Sequence, residues 1–198
     1  MLNKTRKSVI GLSLGLSVAW INSSLAADSA EHQVAAEISK EFVQTLGRTM
    51  KAEMKSNGPA AAIKVCSEMS PKIAGDISRE KGWKVTRVGT RLRNPMLAMP
   101  DAWEQKVLAE FQARADRGES FKTMTYSEWV DEPNGKYFRF MKAIGVKPGC
   151  LTCHGSASDI PDPVKAVLQE RYPHDQATGY QPGDLRGAVS IKQRADGK

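Results

Sequence analysis

What the chain has little of narrows the choices first. Three cysteines in 198 residues are too few for a disulfide scaffold. The longest apolar run, Val9 to Ile21, is 13 residues broken only by Gly and Ser. A spanning helix needs about 20. No internal repeat or low-complexity segment is present. Basic residues are scattered among acids (Lys51, Lys64, Lys72, Arg87, Lys106, Lys142), with no stripe of the kind that lines a nucleic-acid groove. With 40% hydrophobic and 26% charged residues, the composition suits one globular domain with its own core.

The amino-terminal segment has a separate logic. Lys4, Arg6 and Lys7 precede the apolar run, and Ser24-Leu25-Ala26 supplies small residues where a signal peptidase cuts. Residues 1–26 are expected to be a cleaved secretory leader, leaving a periplasmic protein with no stable membrane insertion. The formal charge of +7 overstates the mature chain, which keeps 26 basic and 22 acidic residues. A mild positive charge of this kind belongs to a solvated surface or to steering of an acidic partner.

Apolar periodicity predicts the elements. Val34, Ile38, Phe42, Leu46, Met50 and Met54 recur every four residues, the stripe of an amphipathic helix that Asn57-Gly58-Pro59 should end. A short helix over 60–68 and another from Pro71 to Gly82 should follow. Residues 83–90 read as a strand, Asn94-Pro95 as a loop, and Asp101 as the cap of a helix burying Trp103, Val107, Leu108 and Phe111. Residues 121–130 and 136–144 read as a hairpin, 164–172 as a helix and 187–192 as a last strand. Helices and strands in this order fit an α+β domain with an antiparallel sheet flanked by helices and a long N-terminal helix.

Chemistry concentrates at Cys150-Leu151-Thr152-Cys153-His154, the spacing of a c-type haem attachment site. Two thiols on one tight turn can add to the two vinyl groups along one porphyrin edge, and the adjacent histidine can ligate the iron. Gly149 and Gly155 are expected to let the backbone approach the ring. A thioredoxin-type pair would want a strand-to-helix junction. A zinc site would want a second Cys or His pair, and only Cys66, His32 and His174 remain. One covalent haem, with iron bound by His154, is the expected cofactor.

The second axial ligand stays open on pattern alone. Cys66 is the odd cysteine, on the short helix after Pro59, and an inert buried thiol is its competing reading. His32, near the start of the first helix, reads as solvated. His174, Met69, Met96 and Met99 stay open, whereas Met50 and Met54 read as core. Arg91 and Arg93, two apart in an extended stretch, can point the same way toward haem propionates; the alternative is an exposed basic loop.

These residues together resemble the exported single-haem c-type proteins grouped as a domain of unknown function with a PAS-like fold. The resemblance rests on Cys66 with Ser70-Pro71-Lys72-Ile73-Ala74, on Arg87 with Arg91-Leu92-Arg93-Asn94-Pro95, and on Pro100-Asp101-Ala102-Trp103-Glu104. It also rests on Cys150 to His154, and on Tyr172 to Tyr180 with Gly183-Asp184-Leu185-Arg186-Gly187-Ala188. It implies one PAS-like haem-binding domain over 27–198 and axial ligation by His154 and Cys66. Met96-Leu97-Ala98 departs from the Asn that relatives often carry after the Arg-Asn-Pro block.

Three functions follow as expectations. A low-potential single-electron carrier would work with a redox partner protein. A haem-based redox or gas sensor would need a separate signalling partner, since no output domain follows Lys198. An enzyme such as a peroxidase would need distal acid-base residues, and no such constellation stands out, so a catalytic role is not expected.

Overall fold

The computed structural model describes residues 19–197, with side chains from residue 30. The expected leader lies outside these residues except for helical backbone over 19–26. Among the described residues no helix is long and apolar enough to cross a membrane.

Helix α1, Ala19–Lys64, is interrupted at Gly58, whose φ of 83° only glycine adopts readily, and Pro59 restarts it. A π-helical turn, Val65–Met69, leads into α2, Ser70–Lys81, which Gly82 ends in the left-handed conformation. Strand β1 spans Lys84–Gly89. Asn94-Pro95, expected to be loop, instead opens the one-turn helix α3, Pro95–Ala98, because the Asn94 side chain accepts a hydrogen bond from the Met96 amide. Helix α4, Ala102–Asp116, begins with a capping box between Asp101 and Glu104.

The hairpin pairs β2, Thr125–Glu132, with β3, Gly135–Gly145, and its turn is tighter than expected, with Glu132 already opposite Gly135. A 3₁₀ turn, Pro148–Cys150, runs into the short helix α5, Leu151–His154. Helix α6, Asp162–Arg171, and strand β4, Leu185–Arg194, complete the order.

The sheet is open and antiparallel throughout, in the order β1-β4-β3-β2. Period-two alternation covers both its faces. Phe138, Phe140, Val189 and Ile191 meet Ala35, Ile38, Phe42 and Leu46 of α1 and Ile73 and Ile77 of α2. On the other face Met141, Ala143 and Ala188 meet Val107, Leu108 and Phe111 of α4. The α1 stripe therefore runs through Ala35, and Val34 is 41% exposed, one residue off the expected face. His32, expected in solvent, is half-buried, with its ring edge-on to Phe140 and Nδ1 2.8 Å from the Ser127 hydroxyl.

Candidate functional site

A cavity of about 440 Å³ opens at the end of the sheet. That lies within the 300–1,000 Å³ usual for cofactor pockets. Its floor is the end of β1 with Ile144-Gly145 of β3 and Arg186-Gly187 of β4. Phe42 and Met50 of α1, Cys66 of the π turn and Ser70, Pro71, Ala74 and Gly75 of α2 form one wall. Arg93, Asn94, Leu97, Ala98, Cys150, His154 and Tyr172 form the other. The backbone packs tightly under the floor: a Cβ on Gly187 would overlap the Val88 carbonyl oxygen.

His154 is held in a single protonation state. Its Nδ1 lies 2.7 Å from the Ala177 carbonyl oxygen, which can only accept, so Nδ1 carries the hydrogen and Nε2 keeps its lone pair. Burial, then the Arg93 and Arg186 guanidiniums, push the imidazole down to about 3, so it is neutral at ordinary pH. A neutral imidazole fixed through Nδ1 is the usual state of a metal-binding histidine. Tyr180 packs edge-on against the ring at 6.1 Å.

Arg93 fixes the loop that bears the histidine. It is 7% exposed and ion-pairs with Asp175, with Nη2 3.0 Å from Oδ2. It also donates to the Cys153 carbonyl and, at 3.4 Å, to the Ala177 carbonyl. Asp175 in turn accepts from the Ala177 amide at 2.7 Å. One buried pair thus ties together the Cys153 backbone and the carbonyl that orients His154.

The structure brings Cys66, Arg93, Cys150 and His154 to the cavity wall. Cys66 sits in the π turn, an irregularity found often at functional sites. Its thiol donates to the Met50 sulfur at 3.9 Å. Cys153 is half-buried behind the wall, against the cluster of Ile63, Ile160, Val164 and Leu168, and burial pushes its thiol up. Cys150 and Cys153 are not joined in a disulfide.

Arg91 does not line the cavity. It is exposed, stacks 4.5 Å over Tyr180 and donates to the Thr178 carbonyl at 2.7 Å. His174 is exposed, and Met96 and Met99 are 89% and 60% exposed. Met50, expected in the core, packs there and also lines the cavity. At Gly155 a Cβ would meet the Leu151 carbonyl oxygen and the Asp159 side chain, each at 2.7 Å, so the turn after His154 needs glycine.

Two charged residues at the cavity floor that the sequence left unassigned are Arg87 and Arg186. Both are half-buried, and among the described residues neither has a carboxylate at salt-bridge distance. Burial, with the Arg87 and Arg93 charges, lowers the Arg186 pKa against the opposing pull of Tyr180 and Asp175. Arg186 donates to the Arg91 carbonyl at 3.1 Å, and two half-buried guanidiniums at the cavity floor suit an anionic group in the cavity. Adjacent strands carry them together, a placement visible only from the pairing of Arg87 with Val189 and Gly89 with Gly187.

The donor set fits haem. The wall offers one neutral imidazole, one thiol at a separate element, apolar surface for a macrocycle and guanidiniums for its carboxylates. No group of three or more His, Cys, Asp or Glu side chains is clustered as a bare metal site among the described residues.

A family model described as Tll0287-like matches residues 22–194, and the chain belongs to that family. Among solved structures, the crystal structure of the cyanobacterial heme-protein Tll0287 is similar at a TM-score of 0.55 and 24% identity. That likeness covers 90% of this chain and 98% of the other, and it establishes the shared fold. No curated protein matches the chain.

Proposed function

We propose that this member of the Tll0287-like family is an exported, periplasmic single-haem protein of the c type. It passes single electrons at low potential to or from a partner protein. The reading is carried by His154, whose Nδ1–H is committed to Ala177 while the residue lines the same cavity as Cys66 and Cys150. A haem protein among its structural neighbours supports the haem-binding part of this reading.

His154 and Cys66 would be the axial ligands, and Cys150 and Cys153 the covalent attachment points. Arg87 and Arg186 would neutralise the propionates. Arg93 acts through the backbone, by holding the Cys153 and Ala177 carbonyls. The haem, when bound, supplies an iron that cycles between ferric and ferrous states, and an anionic thiolate ligand favours the ferric one. The apolar residues of the lining, Phe42, Val85 and Ile144 among them, would limit solvent access to the iron.

The deciding experiment is absorption and low-temperature EPR spectroscopy of the haem-matured protein, ferric and ferrous, with and without carbon monoxide. A low-spin thiolate-type ferric signal that vanishes in Cys66→Ala supports the ligation. High-spin ferric iron in the wild type would overturn it. A second reading, a haem-based redox or gas sensor acting through a separate partner, draws on the sulfur contact between Cys66 and Met50. Ready binding of carbon monoxide on reduction would favour that reading.

A further inference from the structure

One contact in the cavity wall is not used by a fixed pair of axial ligands. The Cys66 thiol and the Met50 thioether touch, with their sulfurs 3.9 Å apart, although they come from different elements. Met50 lies on α1 before the Gly58 break, and Cys66 lies after it on the π turn. Both residues line the cavity that His154 lines. From this juxtaposition, and resting on the haem reading above, we infer that Cys66 and Met50 form an exchangeable pair of axial ligands. The Cys66 thiolate binds ferric iron, and the Met50 thioether takes its place on reduction.

The chemistry of the two sulfurs favours opposite oxidation states. A thiolate is an anionic donor suited to the more positive ferric iron, whereas a neutral thioether raises the potential and suits ferrous iron. Met50 has the means to move, being an unbranched side chain with three rotatable bonds. It is half-buried, at the edge of the core between α1 and the sheet. Cys66 sits in a π turn, an irregularity found often at functional sites.

The exchange balances. One electron arrives from a one-electron donor, a redox partner protein in the cell and dithionite in the test. The Cys66 sulfur–iron bond breaks with its electron pair on sulfur, and the thiolate takes one proton from solvent. Met50 Sδ then donates a lone pair into the vacated position. Oxidation reverses each step, and no bond within the protein chain is made or lost.

The test uses the full-length haem-matured protein and its Met50→Leu and Cys66→Ser variants. Near-infrared magnetic circular dichroism and EPR assign the ferric ligands, and resonance Raman spectroscopy and carbon monoxide kinetics assign the ferrous ones. The wild type should be thiolate-ligated when ferric and six-coordinate low-spin when ferrous. Its carbon monoxide binding should level off with gas concentration, because departure of Met50 limits the rate. In Met50→Leu the ferric spectrum should stay unchanged, the ferrous iron should become five-coordinate, and the plateau should be lost. A ferrous Met50→Leu protein that stays six-coordinate, or a wild-type ferrous iron that keeps its thiolate, overturns the exchange while leaving Cys66 ligation intact. A Cys66→Ser ferric spectrum identical to wild type removes Cys66 from the iron, and the exchange with it. Fast-scan voltammetry guards against repacking around the substituted side chain. Two couples in the wild type that merge into one in Met50→Leu support the swap, and a single couple in both proteins overturns it.

Discussion

Arg93 and Asp175 form an ion pair buried on both sides, with side-chain exposures of 8% and 10%. It joins the segment after β1 to the turn that holds His154. Removing the cation leaves a carboxylate stranded in the interior, and breaking such a pair typically costs about 3–5 kcal/mol. Arg93→Ala is expected to lose stability on that scale in chemical denaturation. Arg93→Lys should recover part of it, because a point charge replaces the fork that reaches the Cys153 and Ala177 carbonyls. A loss below about 0.5 kcal/mol, the range of ordinary surface substitutions, would contradict the bracing role.

Covalent attachment makes a simple claim about extraction. Acid organic solvent should leave the haem on the wild-type polypeptide and release it fully from the Cys150→Ala/Cys153→Ala double variant. Each single variant should keep one thioether. The pigment remaining with the chain measures this directly, and full retention in the double variant would refute attachment at these residues.

Two substitutions should move the reduction potential in opposite directions. Cys66→Ala removes an anionic donor that stabilises ferric iron, so the potential should rise by a sizeable part of the ~0.8 V that axial ligands span. Arg186→Gln removes a positive charge from the cavity floor, which relieves repulsion of ferric iron, so the potential should fall by a smaller amount. Spectroelectrochemical titration reads both, and movement in the same direction would sink one of the two assignments.

Acid sensitivity should arise partly at the start of α4. Burial alone would raise the Asp101 pKa, but hydrogen bonds from Arg139 and the Glu104 amide outweigh it, and the carboxyl titrates below its ordinary value. Folding is then favoured by the ionised form. The contribution is complete above the unfolded-state pKa and is lost as pH falls through the lower folded one. The side chain is half exposed, so the effect is modest. Melting temperature against pH should fall less steeply on the acid side in Asp101→Asn, and an unchanged slope would show that the pair contributes nothing.

Much of the local structure was legible because it depends on near neighbours. Gly58-Pro59 breaks α1 through a positive φ and a ring suited to the first helical turn. Gly82 ends α2, and Asp101 with Glu104 begins α4. His154 and the two cysteines beside it stood out by spacing alone. Asn94-Pro95 misled, since the same Asn that favours loops also caps helices, and nothing in a four-residue helix announces itself by period.

The sequence by itself determined the order of helices and strands, the antiparallel class of the sheet and the cysteine-histidine motif, because each is written in short-range periodicity or fixed spacing. Tertiary structure alone decided what surrounds that motif. Pairing of β1 with β4 brought Arg87 and Arg186 together at the cavity floor, residues 99 positions apart in the chain. Folding of Asp175 to Ala177 back onto Arg93 oriented His154, and it left Arg91 outside the cavity, stacked on Tyr180. The break at Gly58 let α1 and the π turn meet, so that Met50 and Cys66 touch. Such contacts join segments far apart in sequence, and their geometry is set by how whole elements pack, which no local pattern encodes.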